Sequence, residues 1–303
     1  MHATRTGHRR PIRTIALRTG ATLGALALLA AAQTTTAAST PRNATAPLVD
    51  PATPAGAQPQ LPTGPRTAAQ TLVFSDEFTQ TSLDTTRWTA RDQERTEASR
   101  TDGIRWWYKP ANVRLIPDNG GNLAIDLRKL TTNQYAGGRV DTQDKFDYAY
   151  GTLEARIHTP YATNGHLAAV WVQAPNHGTQ VGTAADGAEY DIIETSRQND
   201  QYPVSIHYDG YAADHKVSSQ TVNAPGLHST WYHTVGMAWT PTQIQFTFDG
   251  AVVRTVTDPK LISQVREFPI LSHELLFFAE GSLTSAPLDA SSTVYVDYLR
   301  IWQ

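Results

Sequence analysis

The segment Gly187-Ala188-Glu189-Tyr190-Asp191-Ile192-Ile193-Glu194-Thr195 carries three carboxylates in otherwise apolar, β-prone sequence. A strand alternates its faces with a period of two, so Glu189 and Asp191 share one side and Tyr190 and Ile192 the other. In a regular strand Glu194 would side with Tyr190, where an ionised carboxylate is costly to bury. A β-bulge at Ile192-Ile193 absorbs one residue and returns Glu194 to the face of the other two acids. Three acids on one face repel one another unless at least one keeps a proton. Glycosidic bond cleavage uses such a set: one carboxylate attacks or stabilises the oxocarbenium-like carbon, and another protonates the leaving oxygen. Glu189 and Glu194 would stand about 13 Å apart at Cα, at roughly 3.3 Å per step. A retaining pair needs about 5–5.5 Å between carboxyl groups. Long side chains leaning inward over a concave sheet close that gap, with Asp191 between them to hydrogen-bond one. On these residues alone, a solvated strand face or a calcium site also fits.

Outward from this segment the chain reads as short strands separated by turn residues. Asn122 to Leu127 and Thr152 to Ile157 alternate apolar and polar positions. Ile244 to Phe248, Asp249-Gly250 and Val252 to Val256 spell a hairpin with a tight turn. Thr293 to Trp302 is a closing strand that is apolar on both faces. Long helical periodicity is absent, which argues an all-β sandwich or jelly roll. Residues 90 to 105 are charged and patternless, as expected of a surface loop rimming a site.

The 303 residues include no Cys, which excludes disulfides and thiolate chemistry and leaves stability to core packing. Residues 1–38 read as a secretory signal peptide, with a basic start at Arg5, Arg9, Arg10 and Arg13 and an apolar run from Thr19 to Ala32. That run is too short to span a membrane comfortably. Residues 39–69, rich in Pro, Ala, Thr and Gln, read as a disordered linker, so the folded domain covers 70–303. Without the five leader arginines, 20 basic residues face 28 acidic ones, a net of −8. Such a chain binds nucleic acid or anionic membrane poorly. A neutral polysaccharide suits it better, as does the blander reading that charge aids solubility. Ten His residues show no closely paired zinc spacing.

The sequence resembles glycoside hydrolase family 16, in its laminarinase and agarase-like branch with the bulged Glu-x-Asp-x-x-Glu signature. Here the signature is Glu189-Tyr190-Asp191-Ile192-Ile193-Glu194. Phe74 to Phe78, Gly121-Asn122-Leu123, Gly138 to Asp141, Tyr150 to Arg156, Trp239-Thr240-Pro241 and Val296-Asp297-Tyr298 follow the family's order. The resemblance implies a curved, concanavalin A-like jelly roll with a substrate cleft on its concave sheet. It implies a secreted, endo-acting, retaining hydrolase, a monomer that needs no organic cofactor. Glu189 is the implied nucleophile, Glu194 the acid/base and Asp191 their mediator. Sugar rings offer flat C–H faces, so a cleft wants aromatic platforms beside polar forks. The implied sugar contacts are Trp106, Trp107, Trp171, Arg139 and His207, the last beside Glu194. His233 matches a structural position. A convex-side calcium is implied at Glu77 and Gly121 through carbonyls and at Asp297 through its carboxylate.

Departures from the family include Tyr190 after the first Glu, the small Gly182 to Gly187 stretch before the motif, Ala238 before Trp239, and the run Ile206 to His215. They bear on the subsites, hence on the polymer. Laminarin-type β-1,3-glucan is the first expectation. A β-galactan or agar-type polymer, a transglycosylase on the same scaffold and a non-catalytic lectin-like domain are the alternatives.

Overall fold

The computed structural model describes residues 47–60, 70–97, 100–116, 120–159 and 164–303. The 1–38 leader lies outside them. Among the described residues eighteen strands form two sheets, all-β as the sequence implies. One sheet runs β16 (Ala251–Val256), β15 (Gln243–Phe248), β14 (His233–Thr240), β9 (Gly151–His158), β18 (Val294–Trp302), β6 (Asn122–Ile125) and β5 (Val113–Ile116). In it β1 (Leu72–Asp76) also pairs with β18. The other runs β13 (Lys216–Asn223), β12 (Gln201–Tyr208), β11 (Glu189–Glu194), β10 (Leu167–Gln173), β17 (Phe268–Glu274), β8 (Gln134–Asp141), β4 (Arg105–Tyr108) and β3 (Gln93–Arg95). Here β2 (Thr89–Ala90) and β7 (Arg128–Thr131) also pair with β8. Among the described residues no helix is long and apolar enough to cross a membrane.

The core lies between the sheets, and Tyr190, Ile192, Ile193, Val170, Val172, Val204 and Ile206 fill the side contributed by β10, β11 and β12. Full burial of each such aliphatic side chain contributes about 1.5–3 kcal/mol. The Tyr190 hydroxyl accepts the Ser263 N–H at 2.6 Å and donates to the Leu261 carbonyl at 3.1 Å, so this phenol can sit in the core behind the acids. His273, on the inner side of β17, ties the sheets together through Nδ1 to the Ile125 carbonyl at 3.0 Å.

The expected hairpin forms with a two-residue loop: Phe248 pairs with Ala251, and Asp249 and Gly250 take φ of 46° and 75°. That left-handed pair is the turn whose twist matches the strands it joins. Two expectations need correction. Residues 47–60, inside the predicted linker, are docked on the domain. Leu48 bridges Phe74, the Asp50 carboxylate accepts the Glu77 N–H at 2.9 Å, and the Gln60 N–H donates to Glu154 Oε2 at 2.6 Å. Proline does keep this stretch irregular, but partners on the folded domain satisfy its backbone. The segment 90–105, expected to be patternless loop, contains β3 and extends the second sheet. Glu97 fastens it by accepting Trp106 Nε1–H at 2.5 Å and the Phe277 N–H at 2.8 Å.

Candidate active site

The pairing of β10 with β11 shows how the acids come to share a face. Val170 faces Ile193 while the next residue, Trp171, faces Asp191, so Ile192 is the extra residue of a bulge. Glu194 then lies opposite Ala169 and Glu189 opposite Gln173. All three acids are on the face away from the buried Tyr190, Ile192 and Ile193. Asp191 is buried, and Glu189 and Glu194 are partly exposed.

The two glutamates have different company. Glu189 Oε2 accepts a hydrogen bond from the Tyr211 hydroxyl and has Gln173 Nε2 at 3.3 Å. Across the pairing with β12, Glu189 faces His207, whose Nε2 lies 3.3 Å from Asp191 Oδ2. No hydrogen bond reaches the Glu194 carboxyl from the described residues. It feels burial first, then the charges of Asp191, Glu274 and Glu189, and these push its titration well above the ordinary carboxylate range. Glu189 is also raised, to about 8, by burial and then by Asp191, with His207 and Tyr211 pulling the other way. Burial raises Asp191 as well, against the pull of the neighbouring His207 imidazole. For His207, burial disfavours the charged ring, and the Asp191 carboxylate overcomes it, so its pKa is raised. The cluster thus carries fewer charges than acids near neutrality and holds its protons in common.

The floor beside the acids comes from β10, β17 and β8. Trp171 pairs with Asp191 and Ile270, and its indole N–H donates to Ser272 Oγ at 3.0 Å. The Arg139 guanidinium lies 4.9 Å from the Trp171 ring centroid, and its Nε donates to Asp141 at 2.9 Å. Trp171 and Arg139 therefore stand on the acids' face, both largely buried. The remaining expected contacts are corrected. Trp106 is fully buried with Leu127, Leu275 and Leu283 and offers no ring face to a sugar. Trp107 pairs with Ala136, one residue out of phase with Arg139, so it faces the opposite side of the sheet. Its exposed face is covered by Arg105 at 4.9 Å. His207 lies beside Asp191 and Glu189 rather than Glu194. His233 is structural as expected: it is buried, with Nδ1 2.8 Å from Asp249 Oδ2.

The implied calcium donors do not fit that ion. Asp297, the one carboxylate of the set, is ion-paired with Arg156. The Glu77 carboxylate is held by Arg300 at 2.7 and 2.9 Å. What remains is carbonyls without an uncommitted charge, a poor calcium cage. In the cleft, Glu189, Asp191 and His207 each present a ligand atom within 4.8 Å of the others. Those atoms are engaged with one another and with Tyr211.

Sequence reading missed Glu274, Gln173 and Tyr211. Glu274 is buried on β17, and its Oε1 accepts from Ser272 Oγ at 2.7 Å. An acid closing the run Ile270-Leu271-Ser272-His273-Glu274, in phase with Ser272, was the available signal. Tyr211 sits in the run Ile206 to His215, which had stood out as a departure without its contact being foreseen.

Two stacked sheets, one bearing a row of acids on the face away from the core, define a jelly-roll protein. The profile of glycosyl hydrolases family 16 matches residues 102–298, and the chain belongs to that family. Among curated relatives, Glucan endo-1,3-beta-glucosidase A1 of Niallia circulans is 24% identical over 272 residues, covering 80% of this chain and 39% of that protein. Endo-1,3-1,4-beta-glycanase ExsH of Rhizobium meliloti (strain 1021) is 23% identical over 257 residues, covering 76% of this chain and 51% of that protein. The chain thus spans about two-fifths to half the length of these relatives. Among solved structures, porphyranase B of Zobellia galactanivorans superposes with a TM-score of 0.61 at 20% identity, covering 81% of this chain and 98% of that one. The laminarinase catalytic domain of Thermotoga maritima MSB8 gives 0.59 at 21% identity, covering 78% and 99%. These structural likenesses speak for the fold.

Proposed function

We propose that the chain is a secreted, endo-acting, retaining glycoside hydrolase that cleaves a β-linked polysaccharide, with β-1,3-glucan of the laminarin type as the first substrate. The observation that carries this reading is the asymmetry along β11: donors gather on Glu189, and Glu194 meets only burial and repulsion. A carboxylate supplied with donors is suited to attack, and one kept protonated is suited to give a proton.

In the first step a Glu189 oxygen attacks the anomeric carbon, the bond to the leaving sugar breaks, and the Glu194 proton passes to the departing oxygen. In the second, water attacks the same carbon and the ester bond breaks. Glu189 then recovers its charge and Glu194 takes the proton from water. Asp191, between them and paired with His207, adds the negative charge that keeps Glu194 protonated. Residues 1–38 act as the export leader. The names of the curated relatives support a β-glucan.

A galactan is the second reading. The run Ile206 to His215 favours it, because that stretch looks unlike a typical laminarinase loop. The test is reducing-end release from laminarin, lichenan, agar, carrageenan and arabinogalactan, with the first-formed anomer followed by NMR. Release from agar alone would select the galactan. An inverted anomer would remove the double displacement, and no release from any polymer would remove the hydrolase.

A further inference from the structure

The group that touches Glu189 from the solvent side comes from outside the carboxylate motif. The connection from β12 to β13 places Tyr211 with its hydroxyl donating to Glu189 Oε2. The side-chain amide of Gln173, on β10, donates to that hydroxyl at 2.5 Å and lies 3.3 Å from the same carboxylate oxygen. The hydroxyl therefore accepts from the amide and donates to the acid. The phenol ring stands edge-on to His177 at 4.9 Å and lies 5.8 Å from His215. It remains 48% exposed.

The connection is fastened at its root. Asp209 and Gly210 both take left-handed backbone, with φ of 64° and 70°. The Asp209 carboxylate accepts the Gly182 N–H at 2.8 Å and pairs with Lys216 at 2.5 Å. Gly178 lets the neighbouring loop close on it: a Cβ there would lie 2.5 Å from the Gly210 nitrogen. Tyr211 is thus presented by a braced turn.

We propose that Tyr211 is a positioning residue for the nucleophile: its hydroxyl, backed by Gln173, fixes Oε2 of Glu189 and leaves Oε1 free to face the anomeric carbon. This rests on the reading of Glu189 as nucleophile. A charge-assisted hydrogen bond favours the ionised acid. The other groups acting on Glu189 are Asp191 and Glu194 on its own strand, His207 on β12, Glu274 on β17, Arg95 on β3, and Glu267 just before β17. Burial and the Glu189 charge push the Tyr211 phenol well above its ordinary range, so it stays a donor. The bond weakens when the ester forms and strengthens as the carboxylate departs, which favours release of the sugar to water.

The test is Tyr211→Phe in the full chain, which removes one oxygen and keeps the ring. The Glu189 carboxyl, assigned by its loss in Glu189→Gln, is titrated by ¹³C NMR without any substrate. Its midpoint rises by about one pH unit, the worth of one hydrogen bond to a charged group. On the polysaccharide the wild type cleaves, the acid limb of kcat/KM rises by the same amount, and kcat falls roughly tenfold with KM little changed. Gln173→Leu moves both readouts in the same direction by less. A Glu189 midpoint unchanged in a folded Tyr211→Phe overturns the proposal, and so does a shifted midpoint with an unmoved acid limb. A shifted midpoint with no glycan cleaved by the wild type overturns the nucleophile reading, and the positioning role with it, while the contact itself stands.

Discussion

The two ends of β11 carry the same functional group in opposite company. At Glu189 a phenol and an amide converge on one oxygen, and an imidazole whose pKa the neighbouring Asp191 raises stands across the strand pairing. At Glu194, five residues on, no donor among the described residues reaches the carboxyl, and the acids around it favour its neutral form. Under the proposed function, surroundings assign the nucleophile and acid roles, since the side chains are chemically identical.

Removing either end tests the comparison most severely. Glu189→Ala is expected to reduce hydrolysis about 10⁴–10⁶-fold, as for other covalent nucleophiles. Its melting temperature should stay near that of the wild type, because the side chain is partly exposed. Activity within tenfold of the wild type would end the assignment. Glu194→Ala is expected to cost about 10²–10⁴-fold on a polysaccharide, the usual worth of general acid catalysis. Cleavage of an activated aryl glycoside, which needs no proton on departure, should suffer far less in its first step. Equal losses on both substrates would erase the distinction between the two ends.

A subtler change sharpens it. Glu274→Gln removes one negative charge that holds the proton on Glu194. Glu194 then loses its proton at lower pH, and because the protonated form is the active one, the basic limb of kcat/KM moves down. About half a pH unit is expected for one partly screened charge. A basic limb that stays in place would show that Glu274 does not tune the acid.

Much of this was legible in the chain itself. The bulge followed from a single conflict, since a third acid out of phase with two others would otherwise be driven into the core. The hairpin at Asp249-Gly250 followed from turn chemistry. What escaped notice depends on contacts between residues far apart in sequence. Trp106 and Arg139 fall on the same face by strand parity, yet Leu275 and Leu283 cover the tryptophan and leave the arginine beside the acids. Nothing local announces that covering. His207 was placed next to the wrong acid because the pairing of β11 with β12 sets it opposite Glu189. The ordering of residues 47–60 was hidden for a related reason, because composition reports on what a segment does alone and says nothing of the partners that β1, β9 and β18 offer it.

That strap is also part of the folded unit. Its hydrogen bonds reach the Glu77 N–H from Asp50, the Glu154 carboxylate from Gln60, and Trp302 Nε1–H through the Ala57 carbonyl. Gln70 returns to the same strand as Gln60, accepting from Thr152 Oγ1 at 2.8 Å. A protease that cut between positions 60 and 70 would leave two fragments, each still gripped by β9, and trimming the chain back to position 70 would discard one of them and bare the carboxylate of Glu154.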